Sequence, residues 1–122
     1  MNLIVACLLA AGLMPYLFVA VAKASGPRYN NRDPRGWEEK QQGLSKRAHQ
    51  AHLNSFEAFP LFAAALLFAL WREADLERVG YLALAFVLLR LLYGVCYMAD
   101  WALPRSLVWL AAISCAVALL FV

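Results

Sequence analysis

Four apolar runs decide what this chain can fold into. The first, Leu3 to Ala22, has about 20 residues, the length an α-helix needs to cross the hydrocarbon core of a bilayer. Further runs cover Phe59 to Trp71, Leu76 to Met98 and Arg105 to Val122, the last of about 18 residues, enough to span if little tilted. Of the 122 residues, 64% are hydrophobic and 16% charged, more apolar surface than a soluble domain of this size has interior to bury. The expected class is an all-α integral membrane protein: one domain over residues 1–122, a bundle of four transmembrane helices running up-down-up-down. Helices are expected over about residues 3–23, 37–71, 76–98 and 105–122, with a cytoplasmic loop over 24–36.

The first run is too long for the core of a signal peptide and has no basic segment before it, so it reads as a retained helix kinked by Pro15. SGPRYNNRDPRG, residues 25–36, is dense in turn formers and reads as a loop. From Trp37 the pattern is helical and polar, turning apolar at Phe59. A single helix to Trp71 would have about 35 residues and extend about 50 Å, with Pro60 bending it where the two regimes meet. READLER, residues 72–78, is a charged hairpin tip, and Ala99 to Pro104 forms the next turn.

Seven of the eleven Lys and Arg residues fall between Lys23 and Arg47, the pattern of a cytoplasmic loop under the positive-inside rule. The net charge of +3 is therefore matched to anionic lipid headgroups rather than nucleic acid. With that loop cytoplasmic, four spans place both termini on the periplasmic side and return the turn near Asp100 and Arg105 to the cytoplasmic face. Cys7, Cys96 and Cys115 lie inside apolar runs and read as small hydrophobes.

Within the second helix, Arg47, Gln50, Asn54 and Glu57 fall in roughly an 80° stripe at about 100° per residue. Arg90, Tyr93, Tyr97 and Asp100 repeat the same offsets on the third. Ionisable groups inside a membrane normally face the bundle interior and pair there, which couples Glu57 with Arg90. Such a pair has two readings: a pin for helix register or assembly, or part of a site. Tyr93 and Tyr97 likewise suit the headgroup level as ordinary interfacial aromatics. The number of polar and aromatic groups converging on one membrane face favours a site. His49 and His52 lie on the other side of their helix and, without a third ligand, make a weak metal site. No phosphate-binding loop, dinucleotide fingerprint or nucleophile elbow is present. A pocket of Arg90, Arg105, Asn54, Glu57 and two tyrosines suits a peptide-like anion. If that ligand carried a thiol, a guanidinium beside it would favour the nucleophilic thiolate.

RAHQAHLNSFEAFPLF resembles the signature of the MAPEG superfamily, the membrane-associated proteins of eicosanoid and glutathione metabolism. YNNRDPR in the first loop and YMADWALPRSLVW after the third run are similar to small bacterial members. The resemblance covers nearly the whole chain. It implies a homotrimer in the bacterial inner membrane, with sites between neighbouring subunits at the cytoplasmic face and glutathione as co-substrate. It assigns Asn54 and Glu57, with Arg90, Tyr93 and Tyr97, to the tripeptide, and Arg105 to activation of its thiol, with Tyr97 assisting. Ser106 matches a polar neighbour, and Lys23 a cation near the end of the first helix. One position departs from the pattern: Gln50 stands where the glutathione-using branches carry Arg, and Arg47, one turn earlier, is the substitute at hand.

Two functions follow from the resemblance. The first is a glutathione-dependent transferase or peroxidase acting on a lipophilic small-molecule substrate that enters from the membrane lipids. The second, favoured by Gln50, is a non-catalytic lipid-binding or scaffolding trimer. A channel or transporter is disfavoured because no polar stripe runs the full depth of the helices.

Overall fold

The structure, a computed structural model, describes all 122 residues, and its regular secondary structure is all helix. Five helices follow one another: α1 (Asn2–Ser25), α2 (Pro34–Glu39), α3 (Gly43–Trp71), α4 (Leu76–Met98) and α5 (Ala102–Ala118). Three of them, α1, α3 and α4, are long and apolar enough to cross a membrane. The last departs from the expected fourth span. It begins three residues before Arg105, ends in a turn over 119–121, and has only 17 residues. At 1.5 Å per residue that is about 26 Å, slightly short of a hydrocarbon core of about 30 Å.

The single helix expected over 37–71 is interrupted. Asp33 Oδ1 accepts a hydrogen bond from the Gly36 amide at 3.1 Å, and Pro34 starts α2 where its missing N–H costs nothing. Pro34 to Gly36, expected in the loop, are therefore helical. One turn on, the Gln41 side chain donates to the Trp37 carbonyl at 2.7 Å, taking the acceptor that a continuing helix would offer to the Gln41 amide. Gly43 then takes φ +60°, a left-handed conformation that glycine adopts without strain, as the first residue of α3.

This corner is held by a buried polar chain. The Ser45 hydroxyl lies 2.8 Å from the Ala22 carbonyl and 3.1 Å from Gln41 Oε1, and shares its one proton between them. The Trp37 indole N–H donates to the Arg28 carbonyl at 3.0 Å, while its ring meets Tyr29 edge to face. Loop, α2 and the start of α3 are thus tied to the end of α1.

Below the corner, the inner faces use small residues. Beyond Ser45, the buried small positions of α3 are Ala48, Ala51, Ser55, Ala58, Ala65 and Ala69; with Phe62 between Ala58 and Ala65 they keep three- and four-residue spacing and let the backbone approach α1 and α4. The Phe62 and Phe86 rings stack at 4.1 Å between centroids in the middle of the bundle. Gly94 faces the Phe18 ring so closely that a Cβ there would lie 2.1 Å from it. Pro15 and Pro60 both sit inside continuous helices. At the far end, Arg72 donates to the Leu120 carbonyl at 3.2 Å, so the 72–75 turn and the C-terminus share one end of the bundle. At the other end, Arg47 Nε donates to the Met98 carbonyl at 3.0 Å and satisfies a carbonyl in the last turn of α4.

Candidate functional site

The polar residues of α3 and α4 meet in the half of the bundle nearer the loop. Asn54 and Arg90 are joined by a hydrogen bond from Arg90 Nη2 to Asn54 Oδ1 at 2.7 Å. The Asn54 amide then donates to Glu57 Oε2 at 3.3 Å. Arg90 is 1% exposed, its guanidinium carbon lies 4.2 Å from the Tyr93 ring centroid, and its Nη1 has no hydrogen-bond partner. The expected direct pairing of Glu57 with Arg90 does not form. Glu57 is exposed, and the Asn54 carboxamide stands between carboxylate and guanidinium.

One turn nearer the loop, the Tyr97 hydroxyl donates to Gln50 Oε1 at 3.1 Å. Tyr93 and Tyr97 contact each other edge to face, centroids 5.7 Å apart. Beyond them α5 brings Arg105 over the Tyr97 ring, its guanidinium carbon 4.4 Å from the centroid. Along one side of the α4–α5 pair the order is therefore Arg90, Tyr93, Tyr97, Arg105: two rings in contact, with a cation on the negative face of each.

Asn54, Tyr93, Tyr97, Arg105, Ser106 and Trp109 line a cavity of about 240 Å³. Arg105 is half-buried and borders this space, whereas Arg90 stands behind Asn54 and Tyr93. Arg47 is spent on the end of α4, and Gln50 touches the site through Tyr97. Asp100, read as a continuation of the α4 stripe, lies past Met98 in the turn with φ 60° and is exposed. Trp109 has no counterpart among the expected residues. Its signal is its place one turn after Arg105 on α5, a spacing that stacks two side chains on one face. Lys23 lies 4.0 Å over the Tyr29 ring, in the corner rather than the cavity. No three His, Cys, Asp or Glu residues are grouped to hold a metal ion.

Chemically, the cavity offers one accessible guanidinium, a carboxamide, two phenols and a hydroxyl. A second, buried guanidinium adds positive potential behind it, in surroundings where charge is poorly screened. Such a set of groups is chemically able to hold an anion and to stabilise negative charge.

Several apolar helices of spanning length, with a polar, cationic cavity near one end of the bundle, define a multi-pass membrane protein. The chain belongs to the MAPEG family, whose model matches residues 3–122, essentially its whole length. Searches of the curated proteins and of the solved structures give no match. Family membership makes it a membrane protein related to glutathione and eicosanoid metabolism.

Proposed function

We propose that this protein is a glutathione-dependent transferase or peroxidase for lipophilic electrophiles, working as a homotrimer in a bacterial inner membrane. Its sites lie between subunits at the cytoplasmic face, and both termini are on the periplasmic side. The observation that carries the reading is the Arg105 guanidinium seated on Tyr97 in one cavity with Asn54 and Tyr93.

Glutathione supplies a thiol nucleophile, two carboxylates and an amine. An ordinary thiol, with a pKa of about 8.5, is mostly protonated at neutral pH. Arg105 at the cavity wall favours the thiolate, and a tyrosine hydroxyl donating to sulfur adds to that. Glu57 receives the amine, and Asn54 orients the peptide. Arg90 acts through Asn54, holding its carboxamide in one orientation. The electrophile enters sideways from the bilayer past Trp109, so the polar and apolar reactants meet at the membrane edge. A cavity of about 240 Å³ is small beside the roughly 300–1,000 Å³ of typical ligand sites. A neighbouring subunit supplies the remaining wall.

One observation favours a second reading, a non-catalytic lipid-binding or scaffolding trimer. The Tyr97 proton is committed to Gln50, a neutral carboxamide where the glutathione-using branches resemble one another in having Arg. The test is glutathione binding to the detergent-purified protein by calorimetry, beside conjugation of an activated aryl halide. Binding that is weakened by Glu57→Gln, and turnover that is lost in Arg105→Ala, support the enzyme. No heat and no conjugation in the wild type support the scaffold.

A further inference from the structure

The Arg90 guanidinium is satisfied on one side only. Nη2 donates to Asn54 Oδ1 at 2.7 Å, while Nη1 is buried with no hydrogen-bond partner in the protein. The residue is 1% exposed on a helix of membrane-spanning length, so neither bulk water nor a lipid headgroup reaches it. Leaving a charged donor unmatched in such surroundings is strongly unfavourable.

Arg90 also lines a cavity between α1, α3 and α4 that shares no residue with the Arg105 cavity. It measures about 10 Å³, close to the roughly 10–15 Å³ that one water molecule requires and too small for an organic ligand. Met14, Ala58 and Phe86, all buried, give it apolar walls. Ser55 and Ala11 complete it, and each brings an acceptor.

The Ser55 hydroxyl, 4% exposed, donates to the Ala51 carbonyl at 2.8 Å, so its one proton is spent and its lone pairs remain. On α1, the helical donor to the Ala11 carbonyl would be the amide of residue 15. That residue is Pro15, which has no N–H, so the carbonyl keeps the capacity that a helix ordinarily uses. One donor and two acceptors from three helices thus border a space of one water, and buried waters make about three hydrogen bonds. We propose that a structural water occupies this cavity, accepting from Arg90 Nη1 and donating to Ser55 Oγ and to the Ala11 carbonyl. Immobilising one water is less unfavourable than burying three unmatched groups. Pro15 then has a specific role: by lacking an amide hydrogen it releases the acceptor through which α1 reaches Arg90. Because Nη2 of the same guanidinium holds Asn54, the water steadies from behind a carboxamide that lines the Arg105 cavity, whatever ligand that cavity takes.

The test is a crystal structure of the whole chain, grown from lipid at a resolution that shows ordered solvent, together with guanidinium NMR of the arginine-labelled protein in detergent. The expected result is one water within about 3.2 Å of Arg90 Nη1, Ser55 Oγ and the Ala11 carbonyl. In solution the Arg90 signal, identified by its absence in Arg90→Lys, should show a cross-peak to a long-lived water. Ser55→Ala keeps the space and removes one acceptor, so the cross-peak should be lost while the Arg90 signal stays. Pro15→Ala gives the Ala11 carbonyl an amide of its own and should weaken the same cross-peak from a different helix. A wild-type cavity without solvent density overturns the proposal, as does an Nη1 that donates straight to a protein carbonyl. So does a cross-peak that either variant leaves at wild-type strength.

Discussion

Asn54 separates Arg90 from Glu57: its Oδ1 accepts from the buried guanidinium at 2.7 Å, and its amide donates to the exposed carboxylate at 3.3 Å. A carboxamide is able to accept from a cation on one side and donate to an anion on the other. Asn54→Ala leaves Arg90 with no hydrogen-bonded side chain in a space that is 1% exposed. Losing a hydrogen bond to a buried charge costs about 2–3 kcal/mol. We expect the variant to melt several degrees lower in detergent, with Asn54→Gln recovering little because its longer arm misplaces the amide.

Gly94 tests the packing of α1 on α4. A Cβ there would fall 2.1 Å from the Phe18 ring, which itself is 2% exposed and has no free space to enter. Gly94→Ala should therefore destabilise by about 1–3 kcal/mol, as overpacking does, although alanine is the better helix former. Phe18→Leu in the same chain should recover part of the loss. Gly12→Ala is the control: its Cβ meets Phe59 at 3.5 Å, an ordinary contact, and thermal unfolding should be unchanged or slightly later.

The apolar runs and the two polar stripes were legible because helical periodicity and membrane length are properties of neighbouring residues. That Gln50 meets Tyr97 and Asn54 meets Arg90 follows from two antiparallel helices carrying the same offsets. What escaped depends on single side chains acting at a distance. The break before α3 turns on Gln41 reaching back to the Trp37 carbonyl and on Ser45 reaching across to Ala22. Opposite charges at Glu57 and Arg90 suggested contact, and only side-chain placement shows Asn54 between them. Asp100 kept the α4 spacing on paper, but the helix ends at Met98. Trp109 was hidden because a tryptophan at a cavity wall and one facing lipid look alike in a sequence.

The Gln41 corner makes a prediction of its own. Gln41 is 5% exposed and serves both the Trp37 carbonyl and the Ser45 hydroxyl. Gln41→Leu removes both contacts while keeping the bulk, and leaves those partners buried and unsatisfied, at about 1–3 kcal/mol. Because the corner joins α2 to the bundle through few contacts, the cost should appear locally. Hydrogen exchange should accelerate over residues 26–45 and stay unchanged in α4.

Gln50→Arg bears most directly on the proposed chemistry. In the wild type the carboxamide accepts the Tyr97 proton, so the phenol is turned from any ligand in the cavity beside it. A guanidinium at residue 50 cannot accept that bond. It would free the Tyr97 hydroxyl and add a cation one turn from Asn54. A charge-assisted hydrogen bond to a glutathione carboxylate contributes about 1.5–3 kcal/mol, so affinity should rise by about tenfold or more in calorimetry. Arg105→Ala added to this variant should keep much of the binding and lose the conjugation, because the two cations then serve different parts of the tripeptide. If Gln50→Arg binds no better than the wild type, anion anchoring at this position is not what the site lacks. The scaffolding reading then gains over the enzymatic one.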